Sequence, residues 1–113
     1  MHNIWDNTYI GVVYMMEMDK EIYLTGLYDY YSELLTDKQK LYFEDYYFNN
    51  LSLAEIAENQ ETSRNAIHKQ IKDTENKLLM YEDKLKLCQK YNELREVIKD
   101  LDDDIKQQIE ELI

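Results

Sequence analysis

The 113-residue chain has no proline, only two glycines and a single cysteine. Because proline and glycine interrupt helices, their scarcity favours an all-α fold in which helices are joined by short polar turns. One cysteine excludes an internal disulfide framework and favours a reducing compartment, so we expect a cytoplasmic protein. Basic residues are also few: 13 Lys and Arg stand against 24 Asp and Glu, which leaves a net charge of −11. That charge excludes a protein that coats nucleic acid through an overall basic surface.

Long apolar runs are missing as well. The longest one away from glycine covers residues 12–16, whereas a membrane helix needs roughly 20 apolar residues. No basic region precedes an apolar one as it does in a secretory signal, and we therefore expect no membrane insertion. Residues near the start of the chain favour strand, and helix-rich sequence begins at about Glu17. We predict a poorly ordered N-terminal extension over residues 1–16 and a single all-helical domain over residues 17–113.

Apolar residues recur at helical spacing through most of that domain. One stripe in the first predicted helix contains Leu24, Leu27, Tyr28, Tyr31, Leu34 and Leu35. Gly26 lies inside this stripe, which predicts that another helix packs closely there. A coiled-coil type spacing then runs from Ile67 to Cys88, and the stripe that begins at Leu94 is out of phase with it. We therefore predict a bend or loop near residues 89–92, between one long helix and one or two shorter ones.

Three start signals precede predicted helices in the middle of the chain. Thr36-Asp37-Lys38-Gln39 and Ser52-Leu53-Ala54-Glu55 are capping boxes, in which a hydroxyl and a longer polar side chain satisfy the first free amides of a helix. Ser63 is a third N-cap candidate. Asn49-Asn50 supplies the turn between the first two of these helices.

The spacing after the second capping box is typical of a helix-turn-helix, over about residues 52–77. Leu53, Ile56 and Ala57 lie on one helix, a polar break follows, and Ile67 lies on the next. A small residue such as Ala57 is needed where the two helices cross, and an aliphatic residue such as Ile67 packs back against the first helix.

The second helix of this unit turns six polar residues outward: Ser63, Arg64, Asn65, His68, Lys69 and Lys72. Residues 63–72 contain three cations and no acid. Arginine pairs with guanine, asparagine with adenine and lysine with phosphate, so these residues are the candidate nucleic-acid contacts of a recognition helix. The alternative is an ordinary helical hairpin whose three cations only interact with solvent.

No residues suggest an enzyme, a metal site or a cofactor. His2 and His68 lie far apart, and Cys88 falls on the apolar spacing, where a small core residue is the simpler interpretation than a nucleophile. Asp102-Asp103-Asp104 lacks the glycine and the terminal glutamate of a calcium loop and instead predicts a helix start.

An ordered set of motifs runs from about residue 22 to residue 88. It consists of Leu35-Thr36-Asp37-Lys38-Gln39, the aromatic run through Tyr46-Tyr47, residues 51–58, residues 63–67, Ile71-Lys72, Thr74-Glu75 and residues 81–85. As a set, these motifs resemble the YlxM family of bacterial proteins, and the helix-turn-helix is similar to the fourth region of bacterial sigma factors. The resemblance implies an all-helical, dimeric cytoplasmic protein. It also implies a role in assisting or regulating the signal recognition particle pathway, beside whose genes the family's genes lie.

This sequence departs from the family at Gln60-Glu61-Thr62, where a Phe-Gly-Val-like run is usual. An acid at the usual glycine position strains the turn or repels the groove of a nucleic acid. Three functions therefore stay open. The first is a regulator that binds the protein or RNA of the signal recognition particle, the second a sequence-specific DNA-binding regulator, and the third an adaptor that binds only proteins. The apolar spacing from Ile67 to Cys88 is longer than one short partner helix could cover, which predicts a homodimer.

Overall fold

A computed structural model describes residues 19–113, and six α-helices account for most of this part of the chain. They are α1 (Lys20–Tyr31), α2 (Asp37–Tyr47), α3 (Leu53–Asn59), α4 (Arg64–Leu85), α5 (Leu87–Ile98) and α6 (Asp103–Glu111). A short 3-10 turn, Ser32–Leu34, follows α1. The predicted all-α fold with a helix-turn-helix and a long helix is confirmed. The predicted extension over residues 1–16 lies outside the described residues.

The three predicted start signals begin α2, α3 and α4. At Thr36 and at Ser52 both hydrogen bonds of a capping box are present, with donor–acceptor distances of 3.0–3.1 Å. The hydroxyl of Ser63 accepts a hydrogen bond from the backbone N–H of Ala66 at 3.1 Å. Each of these side chains satisfies an amide that the helix itself leaves unpaired, so the local sequence determines where these helices begin.

The longest helix, α4, is the element against which the others pack. Its first half contributes Ile67 and Ile71 to a buried cluster with residues of α2 and α3. Further along, Leu78 belongs to a second buried cluster, with residues of α1 and α2. Helices of the same chain thus cover most of the apolar spacing that predicted a homodimer. That reason for a homodimer does not hold, and the homodimer itself stays a prediction.

Two details of the first helix differ from the prediction. A Cβ added at Gly26 would meet nothing within 4 Å, so no helix packs closely there. Leu34 was expected on the buried stripe, but it is 52% exposed. The reason is that α1 ends at Tyr31, and the 3-10 turn changes the angle between successive side chains, which turns Leu34 away from the core.

The helix is interrupted at Lys86. The predicted bend near residues 89–92 is therefore wrong. Lys86 takes a left-handed backbone conformation, with φ of 57°, and separates α4 from α5. The carboxylate of Glu82, which is 3% exposed, accepts hydrogen bonds from the backbone N–H groups of Cys88 and Gln89 at 3.1 and 3.0 Å. A buried acid four residues before the break thus caps the next helix, a role for which the apolar spacing contains no signal.

The hydroxyl of Tyr31 completes this junction. It donates a hydrogen bond to Glu82 and accepts one from the backbone N–H of Leu87 at 3.0 Å. Burial and the hydrogen bond to Glu82 raise the pKa of Tyr31 above its ordinary value, so the hydroxyl keeps its proton. One side chain of α1 therefore holds the end of α4 and the start of α5 together.

We predict that Tyr31→Phe lowers the free energy of unfolding by about 2 kcal/mol, because it leaves the Leu87 amide and a buried carboxylate short of a partner. Urea unfolding followed by circular dichroism measures this change. The matched control is Tyr81→Phe, whose hydroxyl donates to the Leu34 carbonyl at the surface, at 3.3 Å. The control should change stability by less than about 0.5 kcal/mol. Equal effects of the two substitutions would contradict the role of Tyr31.

Candidate nucleic-acid interface

The turn between α3 and α4 ends α3 in a Schellman motif. The backbone N–H of Thr62 donates to the carbonyl of Ala57 at 3.0 Å, and that of Glu61 donates to the carbonyl of Glu58 at 3.2 Å. Glu61 has a left-handed backbone, with φ of 54°, at the position where this motif usually places glycine. The strain that the sequence predicts for an acid in this turn is therefore present at Glu61 itself.

A small apolar cluster fixes the angle between α3 and α4. Ala57 and Ile67 are both buried, and they pack with Ile56, Ile71 and Tyr42 of the helices around them. The predicted roles of Ala57 at the helix contact and of Ile67 in packing back on α3 are confirmed. Because one side of α4 is buried in this way, its opposite side is left to solvent.

All six predicted contact residues are exposed: Ser63, Arg64, Asn65, His68, Lys69 and Lys72. Asn65, His68, Lys69 and Lys72 are three or four residues apart, so they share one face of the helix, and Arg64 lies beside them one turn before His68. We call these five residues the α4 face. Ser63 has a different position, since its hydroxyl caps the helix. The α4 face is thus an accessible polar surface at the start of a well-anchored helix.

The charge of the α4 face is lower than its sequence suggests. Lys69 pairs with Asp73 at 3.1 Å, and Lys72 pairs with Glu75 at 3.3 Å. Arg64 forms no salt bridge with any acid between residues 19 and 113. Asp73 and Glu75 lie just outside residues 63–72, so the count of three cations and no acid omitted them. Their spacings of four residues from Lys69 and three residues from Lys72 could have revealed both pairs.

A groove of about 610 Å³ lies beside the α4 face. Its lining includes Lys20 of α1, Tyr46 and Tyr47 of α2, and His68, Lys72 and Glu75 of α4. Glu75 is largely buried, and its carboxylate accepts a hydrogen bond from the hydroxyl of Tyr47 and pairs with Lys20 at 3.4 Å. Burial and the Glu75 carboxylate raise the pKa of Tyr47 above its ordinary value. Sequence reasoning missed Lys20, because no local spacing relates α1 to α4.

The other residues that the sequence singled out have structural roles, in helix capping and in packing. Between residues 19 and 113, no group of three or more His, Cys, Asp or Glu side chains could hold a metal ion. Asp102 caps α6 through the backbone N–H of Asp104, as the run of three aspartates predicts. Cys88 packs against a buried cluster, and burial together with the Glu82 charge raises the pKa of its thiol to about 11. The thiol is therefore a poor nucleophile near neutral pH.

No helix in the described part of the chain is long and apolar enough to cross a membrane.

Two crossed helices, a short turn and an exposed polar face on the second helix define a helix-turn-helix protein. The family described as "Putative helix-turn-helix protein, YlxM / p13 like", UPF0122, matches residues 18–113. The chain therefore belongs to this family, as its motifs indicated.

Curated relatives agree with this assignment. The chain is 46% identical to a UPF0122 protein of Malacoplasma penetrans over 89 residues, 79% of this chain and 82% of the relative. It is 44% identical to the UPF0122 protein YlxM of Bacillus subtilis over 86 residues, 76% of this chain and 78% of the relative. A UPF0122 protein of Fusobacterium nucleatum is 42% identical over 99 residues, 87% of this chain and 96% of the relative. The similarity therefore extends over most of each protein.

The left-handed backbone at Glu61 yields a stability prediction. Glu61→Gly should raise the free energy of unfolding by about 1 kcal/mol, because glycine adopts this conformation without steric cost. Glu58→Gly, the same change three residues earlier within α3, is the matched control and should lower it by about 1 kcal/mol. Chemical denaturation of both variants measures the two changes. A loss of stability in both would show that the turn at Glu61 is not strained.

Proposed function

We propose that this chain is a regulatory helix-turn-helix protein that binds nucleic acid through the α4 face. The observation that supports it is the exposure of Arg64, Asn65 and His68 on the first turns of α4, while the opposite side of the helix is buried. Helix-turn-helix proteins contact base edges with this part of the second helix. The arrangement offers one guanidinium and one amide to base edges, beside two lysines that can contact phosphate.

RNA of the signal recognition particle is our first candidate target, with the protein of that particle as a second partner in the same pathway. The support is the resemblance to YlxM, together with the small number of cations on the α4 face. Recognition of folded RNA relies on shape and on 2′-hydroxyl contacts as well as on phosphates, so a polar face with few free cations can contribute to it. We accordingly propose a cytoplasmic protein that assists or regulates protein targeting.

Sequence-specific DNA binding is the second candidate function. Arg64 and Asn65 favour it, because they stand at the start of the recognition helix, where guanine and adenine are read in the major groove. The two candidates share one contact surface and differ in the target, so the same variants test both.

The variant Arg64→Ala, Lys69→Ala, Lys72→Ala should bind either target more weakly and with a flatter dependence on salt, by up to about three phosphate contacts. Fluorescence anisotropy measures both quantities, with labelled Bacillus subtilis signal recognition particle RNA and with a DNA duplex of mixed sequence. The matched control, Lys90→Ala, Arg95→Ala, Lys99→Ala, removes the same charge from α5 and the residue that follows it, and should leave the salt dependence much less affected.

Affinity capture from lysate, with and without nuclease, separates the candidate targets. Nuclease-sensitive recovery of the particle RNA supports the first function, and a discrete genomic site supports the second. Two results together would contradict nucleic-acid binding through this face. The particle's protein would be recovered even after nuclease treatment, and the triple variant at Arg64, Lys69 and Lys72 would keep the salt dependence of the unaltered protein.

We further propose that the protein acts as a homodimer through α5 and α6. Exposed apolar side chains concentrate there, and they include Leu87, Val97, Leu101, Ile105 and Leu112. Such a concentration is typical of an interaction surface, and a dimer would present two α4 faces to one target. Sedimentation at micromolar concentration should show a dimer, and Val97→Glu should shift it toward monomer. A monomeric unaltered protein under these conditions would contradict the proposal.

A further inference from the structure

Two lysines from different helices meet at one carboxylate oxygen. The ammonium groups of Lys20 on α1 and Lys72 on α4 lie 3.4 and 3.3 Å from Oε1 of Glu75. The side chains of these two lysines are about half exposed, at 45% and 48%, whereas that of Glu75 is only 5% exposed. The cations are thus accessible from solvent, and the acid that pairs with them lies beneath.

The carboxylate cannot easily turn away from the lysines. The hydroxyl of Tyr47 on α2 donates a hydrogen bond to its other oxygen, Oε2, so groups from three helices converge on Glu75. Because Glu75 is fixed and poorly hydrated, its charge acts on both ammonium groups more strongly than a mobile surface acid would. These two lysines and one glutamate sum to +1, but Asp19, Glu21 and Glu55 also line the groove, so its lining has two lysines against four acids.

A phosphate that approached Lys20 and Lys72 would meet the Glu75 charge as well. The attraction of each ammonium group for phosphate is offset in part by repulsion between phosphate and carboxylate. His68 and the α4 face continue the same surface, since His68 lines the groove together with both lysines. Beside the predicted recognition helix, the groove edge therefore carries two lysines whose attraction for phosphate is offset by nearby acids, and Glu75 is the acid that pairs with both of them.

We propose that the nucleic-acid contact surface extends from the α4 face to Lys20 of α1, and that Glu75 lowers the affinity of this surface by holding Lys20 and Lys72. The inference rests on the proposed function. It assigns Glu75 a restraining role and adds a contact residue outside the helix-turn-helix.

The variant Glu75→Gln tests the restraining role, because glutamine keeps an oxygen for the Tyr47 hydroxyl and removes the charge. We expect it to bind about fivefold more tightly than the unaltered protein, because both half-exposed lysines lose the carboxylate that offsets their attraction for phosphate. Its salt dependence should be steeper by about one phosphate contact. The probes are Bacillus subtilis signal recognition particle RNA and a DNA duplex of mixed sequence, measured by anisotropy.

The matched control is Glu96→Gln on α5, which also removes one negative charge and also releases a paired lysine, Lys99, the residue that follows α5. If it tightens binding as much as Glu75→Gln does, the effect is one of net charge, and the inference is overturned.

Lys20→Gln tests the added contact without altering a buried group. It should weaken binding and flatten the salt dependence, most clearly in combination with Glu75→Gln. Circular dichroism shows whether the Glu75→Gln variant is folded. If it is not folded, the effect of Lys20→Gln alone tests whether the contact surface extends to α1. Unaltered protein that binds a probe, with no effect of Lys20→Gln, would overturn the inference alone. Unaltered protein that does not bind the particle RNA, and that recovers no discrete genomic site in the affinity capture, would overturn the proposed function and this inference with it.

Discussion

Buried carboxylates held by tyrosine hydroxyls are the constraint on which this structure depends. Glu75 and Glu82 lie seven residues apart on α4, both are buried, and each accepts a hydrogen bond from a tyrosine of another helix. A buried carboxylate is costly unless hydrogen bonds replace its hydration. Tyr47 of α2 and Tyr31 of α1 supply those bonds, so these helices are fixed on α4 by polar contacts as well as apolar packing. An acidic chain with 11 tyrosines can satisfy its buried acids in this way.

The same helix carries the candidate contact surface, which links stability to the proposed function. The buried side of α4 is anchored near its start by Ile67 and near its end by Glu82, and the α4 face lies on the opposite side of the first turns. A side chain on a helix anchored at both ends has a defined direction. The backbone positions of Arg64 and Asn65 are therefore fixed, although their exposed side chains can still change rotamer.

Local signals in the sequence predicted much of this arrangement. The capping boxes, the N-cap at Ser63, the packing of Ala57 and the exposure of the α4 face follow from residues within a few positions of one another. The break at Lys86 and the burial of Glu75 do not. The break at Lys86 depends on Glu82 and on Tyr31, which lies 51 residues before Glu82, and the burial of Glu75 depends on Tyr47, which lies 28 residues before it. A periodicity analysis assigns charged residues to the surface, so it places Glu75 and Glu82 on the wrong side of α4. For the same reason it cannot detect that Glu75 holds Lys20.

The distribution of charge narrows the kind of target that the α4 face can accept. The chain carries −11 overall, and Lys69 and Lys72 are each paired with an acid. Long-range attraction of a polyanion is consequently weak, and nonspecific binding, which depends on it, is weak as well. Binding strength must then come from short-range contacts, of which Arg64 and Asn65 are the candidates. Such contacts form only where the target matches the face in shape and in its donors and acceptors. Under the proposed function, the target is therefore a folded or sequence-defined site and not nucleic acid in general.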